Sequence, residues 1–560
     1  MSRPETESRK GNARAHYFVA LLVIGLACQS TPALSAESCT ADASQELDDA
    51  WLEQHEARIG DVILDTRDVF ETDKPDEDKA LFRLANFLHI NTRANTISSQ
   101  LLFASGDLYS RRLLDETERL LRENRYLYEA QIYPVRYCDG IVDVVVRTRD
   151  VWTLKVGASG SRQGGQNKTN VEFEELNLFG FGTKLGINMR STVDRDSVIF
   201  EYSDPHLGGS QARLSTKFID SSDGQTTSFL LDRPFFALDT HWSAGVEFLS
   251  DDRIETLYDL GEPQAQLGHS RTYGQIHGGR SRGLQDGWVS RWSAGLVHDS
   301  SRFSAVEDST SPLPVPGERT YTYPFLRYER LEDRYTTTQN HDQIGRTEDL
   351  YLGTHLLAEL GYSSNLFGGA NDALLFRLNA GTGIGDPDKT LWMLNTGLSG
   401  RVENGQAVNT RLVADAGYYR RQSDTRLLYI GASVLAAVSP DLDDPVYLGG
   451  DNGLRGYPLR YQGGDGKAFL TVEQRFYTDW YPFRLARVGG AVFAEVGRTW
   501  GRNALGDTGL GWLGDVGFGL RLSPTRSGRS HVVHLDVAFP LNASADIDNV
   551  QFLLETRRSF

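Results

Sequence analysis

The sequence is poor in methionine and cysteine, has no excess of positive charge and contains no long hydrophobic segment. Only 3 Met and 3 Cys occur among 560 residues, against 56 Gly, 23 Tyr and 26 Phe. Abundant glycine and aromatic residues favour strands and turns over helices. The net charge of −17 argues against binding to nucleic acid, which requires a basic surface.

The lack of a long apolar segment excludes a membrane-spanning helix but leaves a second kind of membrane protein open. The one apolar run near the start, Tyr17 to Cys28, is too short to cross a bilayer. In a transmembrane barrel only alternate residues of each strand need to be apolar. Average hydropathy therefore does not separate a soluble protein from a barrel in this chain.

The first residues have the pattern of a secretion signal. Basic residues precede the apolar run, and Ala33, Ser35 and Ala36 are small residues suited to a cleavage site. We predict a signal peptide over residues 1–36 and a polar leader over residues 37–57. Lipidation at Cys28 is disfavoured, because Gly25 stands where an aliphatic residue is needed.

Two cysteines, Cys39 and Cys138, remain after removal of the signal. In an oxidising compartment they could form one disulfide, or they could be two free thiols too far apart to meet. The sequence contains no CxxC pair and no His/Cys cluster with metal-ligand spacing. No metal site and no cofactor are therefore predicted.

Residues 58–151 are predicted to form a small α+β domain in the order strand, helix, helix, strand, strand. Residues 58–70 alternate as a strand does, and residues 92–103 indicate a helix capped by Thr92. A second helix is predicted to begin after Ser110. Strands at 129–137 and 141–150 follow, joined by a tight turn.

From residue 152 to residue 560 the sequence predicts an all-β transmembrane barrel of antiparallel strands. Alternating segments recur about every twenty-five residues, with lysine, arginine or glutamate opposite the apolar faces. Spanning strands need about 9–11 residues, so this region accommodates about sixteen strands. A soluble β-sandwich would also alternate and is the rival interpretation.

The stretch from Gly449 to Trp500 carries the strongest functional pattern. Glycines flank Arg455, and two alternating segments follow at 469–477 and 489–497. In the second segment Val492, Ala494 and Val496 form an apolar face, which places Glu495 on the interior side. An arginine beside interior carboxylates suggests a loop held inside the barrel by charge-assisted hydrogen bonds.

This pattern resembles a known family. The ordered set comprises Leu454-Arg455-Gly456-Tyr457, Glu473-x-Arg475 and Phe493-Ala494-Glu495-Val496-Gly497. It is similar to outer-membrane assembly factors of the BamA/TamA type, the bacterial surface-antigen superfamily. There an Arg-Gly-aromatic loop tip folds back into the pore and is gripped by acidic residues of neighbouring strands. The sequence departs once, since the family usually has Asp where Glu495 stands.

The same resemblance implies further properties. The domain at 58–151 is similar to a single periplasmic POTRA module, although a generic α+β spacer would have the same pattern. The working part is expected at the seam between the first strand, with Gly157 and Gly160, and the last strand, ending at Phe560. Alternatively, these glycines only relieve crowding in the barrel wall.

The implied function is assisted insertion, assembly or translocation of polypeptides at the outer membrane of a Gram-negative bacterium. The implied partners are outer-membrane lipid, unfolded polypeptide clients and periplasmic chaperones or accessory proteins. Secretion of one dedicated partner is a variant of this function. A passive pore or structural barrel without assembly activity is the competing hypothesis.

Catalytic patterns are absent. The sequence contains neither HExxH nor GxSxG, so neither a zinc protease nor a serine hydrolase is supported. Asp441, Asp443 and Asp444 could bind calcium, although a solvated acidic loop explains them more simply. We therefore expect that the protein is not an enzyme.

Overall fold

The computed structural model describes residues 47–306, 314–502, 505, 509–528, 531–542, 544 and 547–557. The predicted signal peptide, most of the predicted leader and Phe560 lie outside the described residues. Among the helices in the described part of the chain, none is both long and apolar enough to cross a membrane.

An N-terminal α+β domain precedes the barrel. Its elements are α1 (Asp49–Gln54), β1 (Arg58–Arg67), α2 (Ala80–Leu88), α3 (Ala94–Ser98), α4 (Arg111–Arg122), β2 (Leu127–Cys138) and β3 (Ile141–Asp150). The strands form one sheet in the order β1-β3-β2, with β1 parallel and β2 antiparallel to β3. Leu114 and Leu121 of α4 are buried against Ile132 and Val144 of this sheet in one apolar core.

Two local predictions in this domain were wrong. The helix predicted over residues 92–103 spans only Ala94–Ser98, because the chain beyond it turns to pack Leu101 and Phe103 against the core. The Thr92 side chain does not cap that helix but donates a hydrogen bond to Asp150. Helix α2 was not predicted at all, and most of its apolar side chains face outward.

The rest of the described chain forms a closed barrel rather than two stacked sheets. The barrel strands are β4 (Leu154–Gln163), β5 (Gln166–Glu175), β6 (Lys184–Ser191), β7 (Asp196–Asp204), β8 (Arg213–Ser221), β9 (Gly224–Arg233), β10 (Trp242–Asp259), β11 (Glu262–Gln285), β12 (Trp288–Ala305), β13 (Arg319–Glu332), β16 (His355–Ser363), β17 (Ala373–Asp386), β18 (Thr390–Glu403), β19 (Gln406–Ser423), β20 (Arg426–Val438), β23 (Gly466–Tyr477), β24 (Ala486–Trp500), β25 (Leu513–Pro524), β26 (Val532–Pro540) and β27 (Gln551–Arg557). Two hairpins stand apart from the wall: β14 (Tyr335–Gln339) with β15 (Thr347–Tyr351), and β21 (Val446–Leu448) with β22 (Gln462–Gly464).

The closed antiparallel barrel is confirmed, but the predicted count of about sixteen strands is wrong. Twenty strands close the cylinder, each paired with its neighbour in antiparallel fashion. The difference arises early in the barrel, where six strands fit between Leu154 and Arg233. Short turns at 164–165, 192–195 and 222–223 join them, so the spacing of about twenty-five residues assumed from the sequence is too long there.

The wall alternates as the sequence predicts. On β24, Val492 faces outward and is exposed, whereas Glu495 faces inward and is buried. On β25, Phe518 and Leu520 face outward, whereas Arg521 faces the lumen and is fully buried. An apolar exterior and a charged interior are the arrangement that a barrel in lipid requires.

The barrel has two distinct ends. Strand β3 finishes at Asp150 and β4 begins at Leu154, so the N-terminal domain adjoins the end at which β4 begins. We call this the domain-side end and the opposite one the far end. Because successive strands alternate in direction, the β14–β15 hairpin joins its strands at the domain-side end. The segment between β20 and β23 (439–465) connects at the far end.

Candidate functional site

The segment 439–465, called the inner loop below, folds back from the far end into the barrel. The β21–β22 hairpin brings the two arms of the loop together. The tip at 454–457 contacts the wall formed by β23 to β26. Leu454 and Tyr457 are completely buried and pack with Leu448, Tyr461 and Leu513. Apolar packing therefore seats the tip on either side of Arg455.

The guanidinium group of Arg455 donates to three carboxylates on three different strands. Its Nε lies 2.8 Å from Glu495 Oε1, its Nη1 3.0 Å from Asp536 Oδ2 and its Nη2 3.1 Å from Glu473 Oε2. The backbone N–H of Arg455 also donates to Glu495 Oε2 at 2.9 Å. The guanidinium carbon lies 3.6 Å from the centre of the Phe493 ring. Charge-assisted hydrogen bonds of this kind fix orientation as well as position.

Gly456 and Tyr457 complete the attachment. The Gly456 N–H donates to Asp515 Oδ2 at 2.9 Å, and the Tyr457 hydroxyl donates to the Gly514 carbonyl oxygen at 3.1 Å. A Cβ atom at position 456 would stand 2.8 Å from the Cβ of Asp515 and 3.1 Å from the backbone nitrogen of Pro540. Close approach to the wall therefore requires glycine at this position.

The structure brings Arg455, Glu473 and Glu495 together, as the resemblance implied. Two further acidic partners, Asp515 and Asp536, were missed by sequence reasoning. Asp515 is the cross-strand neighbour of Glu495, and Asp536 lies two strands beyond β24. A signal for Asp536 existed, because it stands opposite the apolar face of its strand, but the register between strands was unknown.

Arg475, the third predicted lumenal residue, does not contact Arg455 directly. Its Nε donates to Glu473 Oε1 at 2.9 Å, so Glu473 bridges the two arginines. Arg521 forms ion pairs with Asp536 and, at 3.6 Å, with Glu473. Four carboxylates and three guanidinium groups thus form one buried network at the β23–β26 wall. The network consists of seven buried residues: Arg455, Glu473, Arg475, Glu495, Asp515, Arg521 and Asp536.

A second element enters the lumen from the domain-side end. We call residues 334–354, which contain β14 and β15, the plug hairpin. Arg475 Nη1 and the Tyr477 hydroxyl donate to the carbonyl oxygen of His341 at 2.8 and 2.9 Å. Ile344 is buried against Leu427 and Ala491 of the wall. The plug hairpin connects β13 to β16, and its tip crosses the lumen to contact β20, β23 and β24.

The plug hairpin also contacts the N-terminal domain. Arg122 of α4 donates two hydrogen bonds to Asp349, at 2.8 Å from Nε and 2.6 Å from Nη2. The guanidinium carbon of Arg119 lies 3.5 Å from the centre of the Tyr335 ring. A continuous chain of contacts therefore runs from α4 through the plug hairpin to Arg475 and Glu473. Nothing in the sequence pattern of 334–354 predicted this path.

The predicted seam between the first and last barrel strands is present and thin. Among the described residues only Leu554 and Arg162 are paired across β27 and β4. By comparison, β26 and β27 share seven pairs and β24 and β25 share twelve. Among the described residues, a Cβ at Gly157 would meet nothing within 4 Å, and one at Gly160 would meet only the Lys168 oxygen at 3.9 Å. Both interpretations of these glycines stay predictions, because residues 558–560 of the predicted last strand lie outside the described part of the chain.

The remaining candidate residues have definite surroundings. Cys138 is disulfide-bonded, and Cys39 lies outside the described residues, so their pairing stays a prediction. Asp441 and Asp443 are paired with Arg319, and Asp441 also with Arg401 at 2.7 Å. Asp444 lies 3.0 Å from Arg411. These ion pairs give the acidic loop an explanation that does not need calcium.

One group in the described part of the chain has the donor set for a metal ion. Ligand atoms of His534, Asp536 and Glu555 lie within 4.8 Å of one another. Both oxygens of Asp536 already accept hydrogen bonds from Arg455 and Arg521. A cation would have to displace these guanidinium groups, and we assign no metal site.

Solved structures of known proteins are similar to this chain at low sequence identity. No protein-family model matches the chain, and no curated protein matches it. Among solved structures, CdiB from Escherichia coli is 12% identical, with 90% of this chain and 77% of that chain covered and a TM-score of 0.46. CdiB from Acinetobacter baumannii is 13% identical (90% and 74% covered, TM-score 0.41). BamA from Haemophilus ducreyi lacking POTRA domains 1-3 is 12% identical (89% and 84% covered, TM-score 0.36). At these values the likeness carries no argument about function.

Proposed function

We propose that the protein is an outer-membrane β-barrel of a Gram-negative bacterium that assists the insertion, assembly or translocation of polypeptides. In this proposal the N-terminal domain is a POTRA-like module in the periplasm, and the barrel's apolar exterior contacts outer-membrane lipid. The clients are unfolded polypeptides, delivered with or without accessory proteins. The domain-side end is then the periplasmic end and the far end the extracellular one.

The thin seam is the observation that carries this proposal. A strand edge whose backbone groups lack a partner is a template for pairing with another strand. Around the rest of the described wall each interface holds at least seven residue pairs. Between β27 and β4 one pair holds the described residues together. Among the described residues an incoming strand would therefore replace one native pair there, whereas at any other interface it would replace at least seven.

The inner loop holds together the strands that lie next to the seam. The network around Arg455 ties β23, β24, β25 and β26 to one loop tip. Strand β27 follows directly after β26, so the firm part of the wall ends next to the seam. Opening at the seam would then leave β23 to β26 in register.

The N-terminal domain offers a second edge for an extended client. The outer edge of β2 is partly occupied by α4, since Arg111 and Arg122 donate to the carbonyl oxygens of Ile132 and Ala130. On β1 the backbone bonds to segment 106–109 end at Ile59, among the described residues. The remainder of β1, residues 62–67, is therefore the edge that we assign to strand addition.

A paired-cysteine experiment tests the seam. Arg162→Cys with Leu554→Cys places two cysteines directly opposite each other on β4 and β27. Leu520→Cys with Leu535→Cys does the same between β25 and β26, where the wall is firmly paired, and is the matched control. Both proteins are reconstituted in vesicles, and insertion of an unfolded barrel client is measured before and after oxidation.

We expect oxidation at the seam to abolish insertion and oxidation at the control interface to leave it unchanged. Wild-type protein treated with the same oxidant and reductant controls for the native disulfide at Cys138. Insertion that continues with a fully formed seam disulfide would contradict the proposal.

A passive pore is the second candidate, and polar cavities in the lumen favour it. Cavities of about 660 and 650 Å³ adjoin the inner face of the wall between β8 and β19, away from the network around Arg455. Both are lined by charged side chains, among them Glu329 and Arg377. Ion conductance in a planar bilayer without any insertion of clients would favour this function over the first.

A further inference from the structure

Helix α2 of the N-terminal domain exposes an apolar face that the domain does not cover. Leu81, Leu84 and Leu88 share one side of the helix by their spacing, and Phe87 lies beside them. Phe87 is 83% exposed and Leu81 68%. Single exposed apolar residues are ordinary on soluble proteins, but four on one short helix are not.

The opposite side of α2 accounts for its attachment. Phe82 is buried and stacks on Phe70, with ring centres 4.1 Å apart. These rings form a small core with Val69, against which Ala85 and Trp152 pack. Helix α2 therefore packs on the domain through its other side, and the exposed apolar face is not needed for the core of the domain.

Helix α2 lies at the end of the domain nearest the barrel. Strand β3 runs from Ile141 to Asp150 toward β4, a rise of about 33 Å for ten residues at about 3.3 Å each. His89, which follows α2, lies within 3.1 Å of Asp150 at the barrel end of that strand. The opposite end of the domain is marked by Ile141, which pairs with Arg58 at the start of β1. Gln54 of α1 lies just before β1 and therefore at this distant end.

Three contacts fix the segment that precedes α2 to the rim of the barrel. Arg526, between β25 and β26, donates to the Val69 carbonyl oxygen at 2.8 Å and forms an ion pair with Glu77. Arg484, between β23 and β24, forms an ion pair with Asp76. The apolar face of α2 is thus held at the level where the barrel wall ends.

The same part of the rim exposes further aromatic side chains. Trp480 and Phe483 lie in the turn 478–485 that joins β23 and β24, and Phe483 is 81% exposed. Above this turn the outward side chains of the wall, including Phe518 and Leu520, are exposed and apolar. Tryptophan and other aromatic residues concentrate where a barrel wall meets the headgroup region. Exposed apolar side chains are therefore present on the wall, on the rim and on α2.

We propose that α2 and the turn 478–485 form an interfacial anchor that lies in the headgroup–acyl boundary of the adjacent phospholipid leaflet. A short amphipathic helix parallel to the membrane buries an apolar face in this region. The anchor fixes the angle at which the N-terminal domain meets the membrane and hence where β1 presents its edge. This inference rests on the proposed membrane location of the barrel.

The charges around α2 define the class of lipid. Three acidic residues of the preceding loop are paired: Glu77 with Arg526, Asp76 with Arg484 and Asp78 with Arg83 of α2. The basic side chain of Lys74 is likewise paired, with Glu71. The contact is therefore apolar in origin, and zwitterionic phospholipid suffices for it.

Quenching by brominated phospholipid tests the anchor in the full-length protein. Phe87→Cys is labelled with an environment-sensitive fluorophore and placed in single-copy nanodiscs of phosphatidylcholine, with or without bromine on the upper acyl chain. Cys138 is disulfide-bonded, so labelling proceeds without reductant. Gln54→Cys, at the distant end of the domain, is the negative control. Phe518→Cys, on the outward face of the wall, is the positive control.

We expect several-fold quenching at positions 87 and 518, none at position 54, and no change in either result at high salt. Quenching at 518 without quenching at 87 overturns the anchor while leaving the membrane barrel in place. Absence of quenching at 518 overturns the membrane location itself. A probe at 87 that responds only to added unfolded polypeptide would assign the apolar face to a protein partner and also overturn the proposal.

A double substitution provides a second measurement. Leu84→Ser with Phe87→Ser removes apolar side chains that are at least half exposed, so the domain should remain folded. Hydrogen exchange of the α2 amides in nanodiscs should become several-fold faster than in the wild type. The exchange of the α4 amides, which belong to the same domain, should be unchanged. Equal exchange of α2 in both proteins would contradict the anchor.

Discussion

Two neighbouring regions of the barrel wall are held together in opposite ways. Between β23 and β26, long strand ladders are reinforced by a loop tip whose arginine contacts three strands. Between β27 and β4, one pair joins the described residues. Only β27 separates these regions. Under the proposed function this contrast would let the barrel open without unfolding, since the seam would part while the adjacent wall keeps its register.

Removal of Arg455 is expected to have the largest effect on this contrast. Arg455→Ala leaves buried carboxylates without their cation, and breaking such a network costs about 3–5 kcal/mol. The free energy of unfolding, measured by denaturant titration in lipid, should fall by that order. Arg455→Glu should be worse, and Glu495→Arg in that background should restore part of the loss. If Arg455→Ala leaves stability and client insertion unchanged, the network does not hold the wall.

The plug hairpin should respond to pH through Glu348. This carboxylate accepts the N–H groups of His341 and Asp342, both at 2.9 Å. Burial, together with the nearby Asp342 charge, raises the pKa of Glu348 from its ordinary value to about 7. The folded hairpin therefore retains a proton that the unfolded chain releases at lower pH. The stability that Glu348 contributes is complete below about pH 4 and is lost as the pH rises to about 7. His341 of the same hairpin acts in the opposite direction, because burial lowers its pKa to about 4.

The loss corresponds to at most about 3 kcal/mol. Hydrogen exchange of residues 335–351, corrected for the intrinsic rate, is compared between the wild type and Glu348→Gln, which stays neutral. Between pH 5 and pH 8 the wild type should lose protection relative to Glu348→Gln, because the titration of His341 is common to both proteins. An equal pH dependence of the two proteins would exclude Glu348 as a source.

The contact between the plug hairpin and the N-terminal domain should contribute less. Asp349→Asn keeps the shape of the side chain but removes its charge toward Arg122. Loss of a charge-assisted hydrogen bond costs about 1.5–3 kcal/mol. Ion conductance should rise as the hairpin leaves the lumen more often. Asp286→Asn, at the exposed turn between β11 and β12 on the same end, is the control. Equal conductance of both variants and the wild type would mean that the domain does not hold the hairpin.

The smallest expected effect lies at the seam itself. Glycine within a strand is less favourable than alanine by about 0.5–1 kcal/mol. Since a Cβ at Gly157 meets no described residue within 4 Å, Gly157→Ala should stabilise β4 by no more than this amount. Thermal denaturation should show a small upward shift of Tm. A lower Tm would mean that Gly157 faces a neighbour in the closed seam.

The sequence predicted what depends on alternation along one strand. Period-two patterning placed Glu495 inside and Val492 outside, and the resemblance brought Arg455 to Glu473 and Glu495. It could not supply Asp515 or Asp536, because partners on other strands depend on register, which one sequence does not contain. The strand count failed where turns of two to four residues shortened the spacing.

The plug hairpin was beyond sequence reasoning for a related reason. Residues 334–354 are polar and read as an ordinary connection. Their destination is set by contacts with Arg475 and Tyr477, which lie more than a hundred residues later. Likewise, the thinness of the seam results from how the ends of β4 and β27 meet on closure, and no local pattern records it.

Hydrogen–deuterium exchange of the barrel in lipid tests the central contrast most directly. We predict that β27 amides pointing toward β4 exchange at least about tenfold faster than β24 amides pointing toward β25, because fewer backbone bonds protect them. Equal protection of the two interfaces would show that the seam is as firm as the wall, and would contradict the account.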